Sequence, residues 1–212
     1  MALNRELIDA YLDRILIFEG SLEPDTLALR RLLSEIESDT HLDKTDQAFV
    51  RGYLGYQFPK TFSQVDCEAE FRFVLGREPQ SQLALHYLGY QCFDCGKYFE
   101  ALESFNRIEP EYCQIWSRIK IDELIVCCYL HLQELREAEK LLIPLLRQSE
   151  EVETIDYPYP IELLRTLIVW HIDFSAVIGE AAWQRILELL NIVFRKHALP
   201  RVLQEELSKL SR

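Results

Sequence analysis

The sequence predicts an all-α protein, and three observations carry that expectation. Gly and Pro number only seven and eight, too few for a sandwich or barrel that turns every 8–12 residues or so. Apolar residues recur at three- and four-residue steps through most of the chain. The string Tyr53-Leu54-Gly55-Tyr56-Gln57 returns unchanged as Tyr87-Leu88-Gly89-Tyr90-Gln91, an offset of 34, and that period marks stacked helical hairpins.

The first helix is expected over Arg5–Glu19, where Leu7, Ile8, Tyr11, Ile15, Ile17 and Phe18 make one face, and Gly20-Ser21 ends it. Pro24 suits the first turn of a second helix over 24–36, which sets Leu27, Leu29, Leu32, Leu33 and Ile36 against Arg30, Arg31 and Glu35. Residues 1–45 thus read as flanking helices, and repeats follow over 46–148 as about 46–79, 80–115 and 116–148. The offset outlasts the repeated string: Phe71 matches Phe105, Val74 matches Ile108, and Cys67 matches Ala101. A third unit aligns at an offset of 37, with Leu135, Ala138 and Leu142 for Tyr98, Ala101 and Phe105. Its insertion falls within 111–118, and its first helix, 121–132, carries Val126 where Gly89 stands in the second unit.

Acidic Glu150-Glu151-Val152-Glu153 and then Tyr157-Pro158-Tyr159-Pro160 mark a linker over 149–160. Beyond it, 161–212 reads as a degenerate fourth helix pair and a cap. Leu163, Leu164, Leu167 and Ile168 pattern a helix over 161–172, and Trp183, Ile186, Leu187 and Leu190 pattern one over 180–195. A last helix over 202–210 would close the array, as solenoid ends require.

With 49% hydrophobic and 27% charged residues, the chain is too apolar for disorder. Its 23 basic against 35 acidic residues give a net charge of −12, which argues against nucleic acid and anionic membranes as partners. The first residues lack the pattern of an export signal. The apolar stretch around Leu163 is broken by Arg165 and His171, and no segment reads as a membrane span. A cytoplasmic protein with six reduced cysteines is the expectation.

The second copy holds Leu85, Leu88-Gly89, Cys92, Ala101 and Phe105 at fixed steps, with Gly96-Lys97-Tyr98 at the turn between helices. The first copy holds Arg51, Leu54-Gly55, Phe58, Cys67, Phe71 and a closing Pro79. This pattern resembles the tetratricopeptide repeat family. The resemblance implies a right-handed helical-hairpin solenoid of three to four helix pairs, with flanking helices at both ends and first helices lining a concave surface. A small residue lets two helices approach, and the Phe four residues after Ala101 fills the remaining space.

Carried over slot by slot, the resemblance places Phe49, Gly52, Tyr56, Pro59 and Lys60 on that surface, then Leu83, His86, Tyr90, Phe93 and Asp94, then Lys120, Glu123, Cys127, Leu130 and His131. Family members that clamp the terminal carboxylate of chaperones carry Lys, Asn and Arg at several such slots, where Gly52, Tyr56, His86 and Tyr90 stand here. An aromatic groove suits an apolar or amphipathic peptide instead. The expected contact residues are Phe49, Tyr56, His86, Tyr90, Phe93 and Leu130, unless the chain's own helices cover them.

Cys92-Phe93-Asp94-Cys95 has the spacing of a redox pair or half a zinc site, but no second half accompanies it. The five histidines show no metal or catalytic spacing, and no phosphate loop or nucleophile elbow occurs. The expectation is therefore a non-enzymatic adaptor or chaperone without metal or cofactor, binding an apolar or basic segment of another protein. Pairing of two copies through exposed faces is compatible with it. An acidic inhibitor of immunity type that neutralises a basic partner is the alternative, and a Cys-x-x-Cys redox or zinc protein a weaker one.

Overall fold

The computed structural model describes residues 3–19, 24–152 and 160–196, together with 205, 208 and 210. The regular elements among them are all helical. The chain divides into two compact units, Met1–Ile108 and Glu109–Arg212. Both copies of the repeated pentapeptide therefore fall in the first unit, and the third repeat falls with the C-terminal helices.

In the first unit, α1 (Arg5–Glu19) and α2 (Thr26–Ser38) precede α3 (Lys44–Gln57), α4 (Cys67–Arg77), α5 (Gln82–Asp94) and α6 (Tyr98–Phe105). α1 has the bounds its apolar steps predict and buries Ile8, Tyr11, Leu12 and Ile15. α2 starts later than its proline suggests because Asp25 is the N-cap, accepting from the amides of Leu27 and Ala28 and so satisfying two donors the helix cannot pair itself. Asp43 and Asp46 form a reciprocal capping box at the start of α3. α1 and α2 both pack on α3, after which each helix packs on the next, α3 on α4, α4 on α5 and α5 on α6. Phe49, Leu54, Phe71, Leu85, Ala101 and Phe105 are fully buried along these seams.

The two identical strings do different packing work. A Cβ on Gly89 would lie 2.4 Å from Cε1 of Phe105, so glycine is what lets α6 seat its ring on α5. In the first copy Phe71 rests one turn earlier, over Gly52, where a Cβ would stand 3.0 Å from its ring. Gly55 instead sits under Val65 and Cys67, whose atoms come within 2.8–3.0 Å of a Cβ placed there. The connections explain the change of register: 58–66 joins α3 to α4, with Phe62 buried inside it, whereas only 95–97 joins α5 to α6.

The short connection is a left-handed turn. Gly96 has φ of 72°, and the amide of Lys97 donates to the Cys92 carbonyl at 2.8 Å, the closing bond of a Schellman motif. The same turn recurs at the offset of 37, where Gln133 has φ of 61° and the amide of Glu134 donates to the Tyr129 carbonyl at 2.8 Å. A glutamine there accepts a backbone conformation that glycine adopts without strain.

The second unit contains α7 (Ile115–His131), α8 (Leu135–Glu151), α9 (Ile161–Ile178) and α10 (Glu180–Lys196). α7 begins six residues before the expected 121, directly after a 3-10 turn at Pro110–Tyr112 that takes up part of the inserted stretch. Val126 and Leu142, standing for Gly89 and Phe105, are both fully buried, so a smaller partner accommodates the branched residue. α7 packs on α8 and α9, and α10 packs on the same two, which closes the four helices into a ring as in a bundle. Ile186, Leu190 and Phe174 fill it, with Trp183 edge-on to Phe174 at 6.2 Å. The expected break at Gly20-Ser21, most of the linker around 153–159 and the closing helix 202–210 lie outside the described residues, apart from Glu205, Ser208 and buried Leu210. Among the described residues no helix is long and apolar enough to cross a membrane.

Candidate partner-binding face

Four of the six expected contact residues keep exposed area, and two do not. Phe49 is fully buried, its ring centroid 5.9 Å from that of Phe71 and 6.0 Å from that of Tyr87. It belongs to the core because its side of α3 meets both α4 and α5. Leu130 is likewise fully buried, since the corresponding face of α7 is covered by α9.

That covering is polar as well as apolar. Glu123, on α7, has no exposed area, pairs with Lys120 at 2.9 Å and accepts the amide of Leu163 at 3.0 Å. One turn on, the fully buried Cys127 thiol lies beside the Thr166 side chain of α9. Another turn on, the Trp170 indole donates to Nδ1 of His131 at 3.5 Å. Burial pushes the Glu123 carboxyl upward, opposed by Lys120 and by the bond from Leu163. The third set of surface slots is thus spent on holding α9.

The corresponding face of the first unit keeps part of its area exposed. His86, Tyr90 and Asp94 recur at four-residue steps and so stand in line on α5. Tyr56 reaches across from α3 and its hydroxyl donates to Oδ2 of Asp94 at 2.9 Å. His86 lies against Tyr90 at 4.6 Å between ring centroids and stacks on Tyr87 at 5.3 Å. Tyr56, His86 and Tyr90 are half-buried, and Asp94 is exposed. Phe93, also half-buried, turns away from this line to meet Tyr98 of α6 edge-on at 5.6 Å.

Burial dominates the electrostatics of these groups. It lowers the His86 imidazole to about 4, so the ring is neutral near pH 7. Its Nε2 is buried without a hydrogen-bond partner among the described residues. Burial, and then the Asp94 carboxylate, push the Tyr56 phenol far above its ordinary range.

Tyr87, which was legible only as part of the repeated string, is the hub of the cluster. Its ring meets those of Phe49, Tyr53, Tyr56, Phe71, His86 and Tyr90, closest at 4.8 Å to Tyr53. Tyr53 and Tyr87 occupy the same slot of the two strings, and that identity was the available signal for an aromatic seam.

Of the Cys-x-x-Cys pair, Cys92 is fully buried and burial raises its thiol to about 11, while Cys95 is exposed and accepts from Gln91 at 3.1 Å. Among the described residues no three His, Cys, Asp or Glu side chains gather as metal ligands do. A groove of ≈ 440 Å³ between α3 and α4 is lined by Ala48, Ala69 and Phe73 and crossed by Arg51, bound through two nitrogens to Glu70 at 2.7 and 2.8 Å. Compared with models of protein families, with curated proteins and with solved structures, the chain matches none.

Proposed function

We propose that the chain is a tetratricopeptide-like interaction module without enzymatic activity, acting in the cytoplasm as an adaptor or chaperone. It binds an apolar or amphipathic segment of a partner protein on the α3–α5 face of its first unit. The observation that carries this reading is the line His86, Tyr90 and Asp94 with Tyr56 beside it, which gathers half-buried rings on one face of the first unit. Large rigid aromatics bind with little loss of side-chain freedom.

The test is selection of displayed peptides on the folded chain, followed by titration of the winners. Apolar peptides that lose at least about tenfold in affinity with Tyr90→Ala, a loss typical of an aromatic anchor, would support the face. Peptides that bind that variant as tightly as the native chain would place the site elsewhere.

The net charge of −12 favours a second reading, an acidic inhibitor of a basic partner. The two readings part on salt. Association steered by exposed charge falls steeply as ionic strength rises, whereas an apolar face keeps its partner.

A further inference from the structure

The first turn of α4 and the last turn of α5 meet at one end of their helix pair, and there we infer that Cys67 and Cys95, not the two cysteines of the Cys-x-x-Cys string, form a reversible disulfide by exchange with a low-molecular-weight disulfide. Nothing in this chemistry depends on what the α3–α5 face binds.

α4 and α5 pack on one another and are joined only by 78–81, so they run antiparallel, and Cys67, the first residue of α4, stands level with the last turn of α5. Two contacts fix that end. The Lys97 ammonium pairs at 2.6 Å with Glu68, which seats the 95–97 turn on the residue after Cys67. The Gln91 amide lies 3.1 Å from Sγ of Cys95, and Gln91 and Cys67 line the same cleft of ≈ 300 Å³, so one side chain borders both cysteines. Cys92 has no exposed area whereas Cys95 is exposed: one side chain turns to the core and the other to solvent. Such a pair is bridged only by moving backbone, which the bond from the Lys97 amide to the Cys92 carbonyl resists. The exchange has an order. The exposed Cys95 thiolate attacks one sulfur of the small disulfide, forming a mixed disulfide and releasing one thiol. The Cys67 thiolate then attacks the Cys95 sulfur, forming the protein disulfide and releasing the second thiol. Two protein thiols are oxidised, one small disulfide is reduced, and the two protons end on the released thiols. Burial raises the Cys67 thiol to about 11, so little of it is thiolate near pH 7 and the second step is the slower.

Incubating the folded full chain with oxidised glutathione, then alkylating it in denaturant, digesting with trypsin and sequencing the peptides by mass spectrometry, tests this. Trypsin leaves Cys67 in 61–72 and both Cys92 and Cys95 in 78–97. The expected product is a monomer in which those two peptides are joined through Cys95, with Cys92 alkylated, and in which dithiothreitol restores both thiols. Cys67→Ala, which puts in α4 the residue that Ala101 supplies in α6, should halt at the glutathione adduct of Cys95. Cys95→Ser should take up glutathione at neither position, and circular dichroism checks that each variant is folded. A lasting glutathione adduct on native Cys95, a bond between Cys92 and Cys95, a bond between two copies of the chain, or no oxidation of Cys95 would each overturn the pairing.

Discussion

Substituting Gly89 by alanine tests the seating of the Phe105 ring of α6 on α5. The new methyl carbon would lie 2.4 Å from Cε1 and 2.6 Å from Cδ1 of Phe105, against about 3.5–4.0 Å for carbons in contact. More than an ångström of overlap must be relieved. The ring has no room to give, being fully buried with Tyr90 edge-on at 5.8 Å. Alanine contributes roughly 1 kcal/mol of helix propensity, while overpacking a filled core costs about 1–3 kcal/mol and sometimes more. A net loss of up to about 2 kcal/mol follows, and more where the packed Phe105 ring cannot shift. Gly76 in α4 is the control: a Cβ there meets nothing within 4 Å, so Gly76→Ala should gain up to about 1 kcal/mol. Urea unfolding followed by circular dichroism measures both. If Gly89→Ala is as stable as Gly76→Ala, the packing argument is wrong.

Other expectations concern titration and turns. His86 binds its proton far less readily when folded, at about 4 against 6.5, so its contribution, at most about 3 kcal/mol, is present above pH 6.5 and is lost as pH falls toward 4; His86→Phe should flatten that part of the stability profile. The raised Glu123 carboxyl has the opposite sign, its contribution falling as pH rises above 4.5, and Glu123→Ala, which strands Lys120 and the Leu163 amide, should cost about 3–5 kcal/mol in thermal unfolding. Gln133→Gly relieves the left-handed turn before α8 and should raise stability by about 1 kcal/mol; an unchanged or lowered midpoint would show that the glutamine is unstrained.

Much of the local structure was legible. The steps of Ile8, Tyr11 and Ile15 give α1 its bounds, and the offset of 37 that aligns Leu135 with Tyr98 also aligns Gln133 with Gly96 in one turn geometry. The resemblance set Tyr56, His86 and Tyr90 on one surface, and their rings do gather, around Tyr87. What the sequence hides is which slots another helix covers. Phe49 and Leu130 have the same residue character as exposed contacts, and only the packing of α4 and α5 on α3 and of α9 on α7 removes them from the surface. The string identity likewise could not show that Phe71 sits over Gly52 and not Gly55, since that depends on the length of the connection after α3.

The carboxylate of Glu123 belongs to α7 but serves the first turn of α9, 40 residues away. Pro160 offers α9 no side-chain cap of its own, so this helix borrows its beginning from another. Dividing the second unit between α8 and α9 would strand a buried charge on one piece and leave unpaired amides on the other. Each piece is then expected to be less stable than the intact unit.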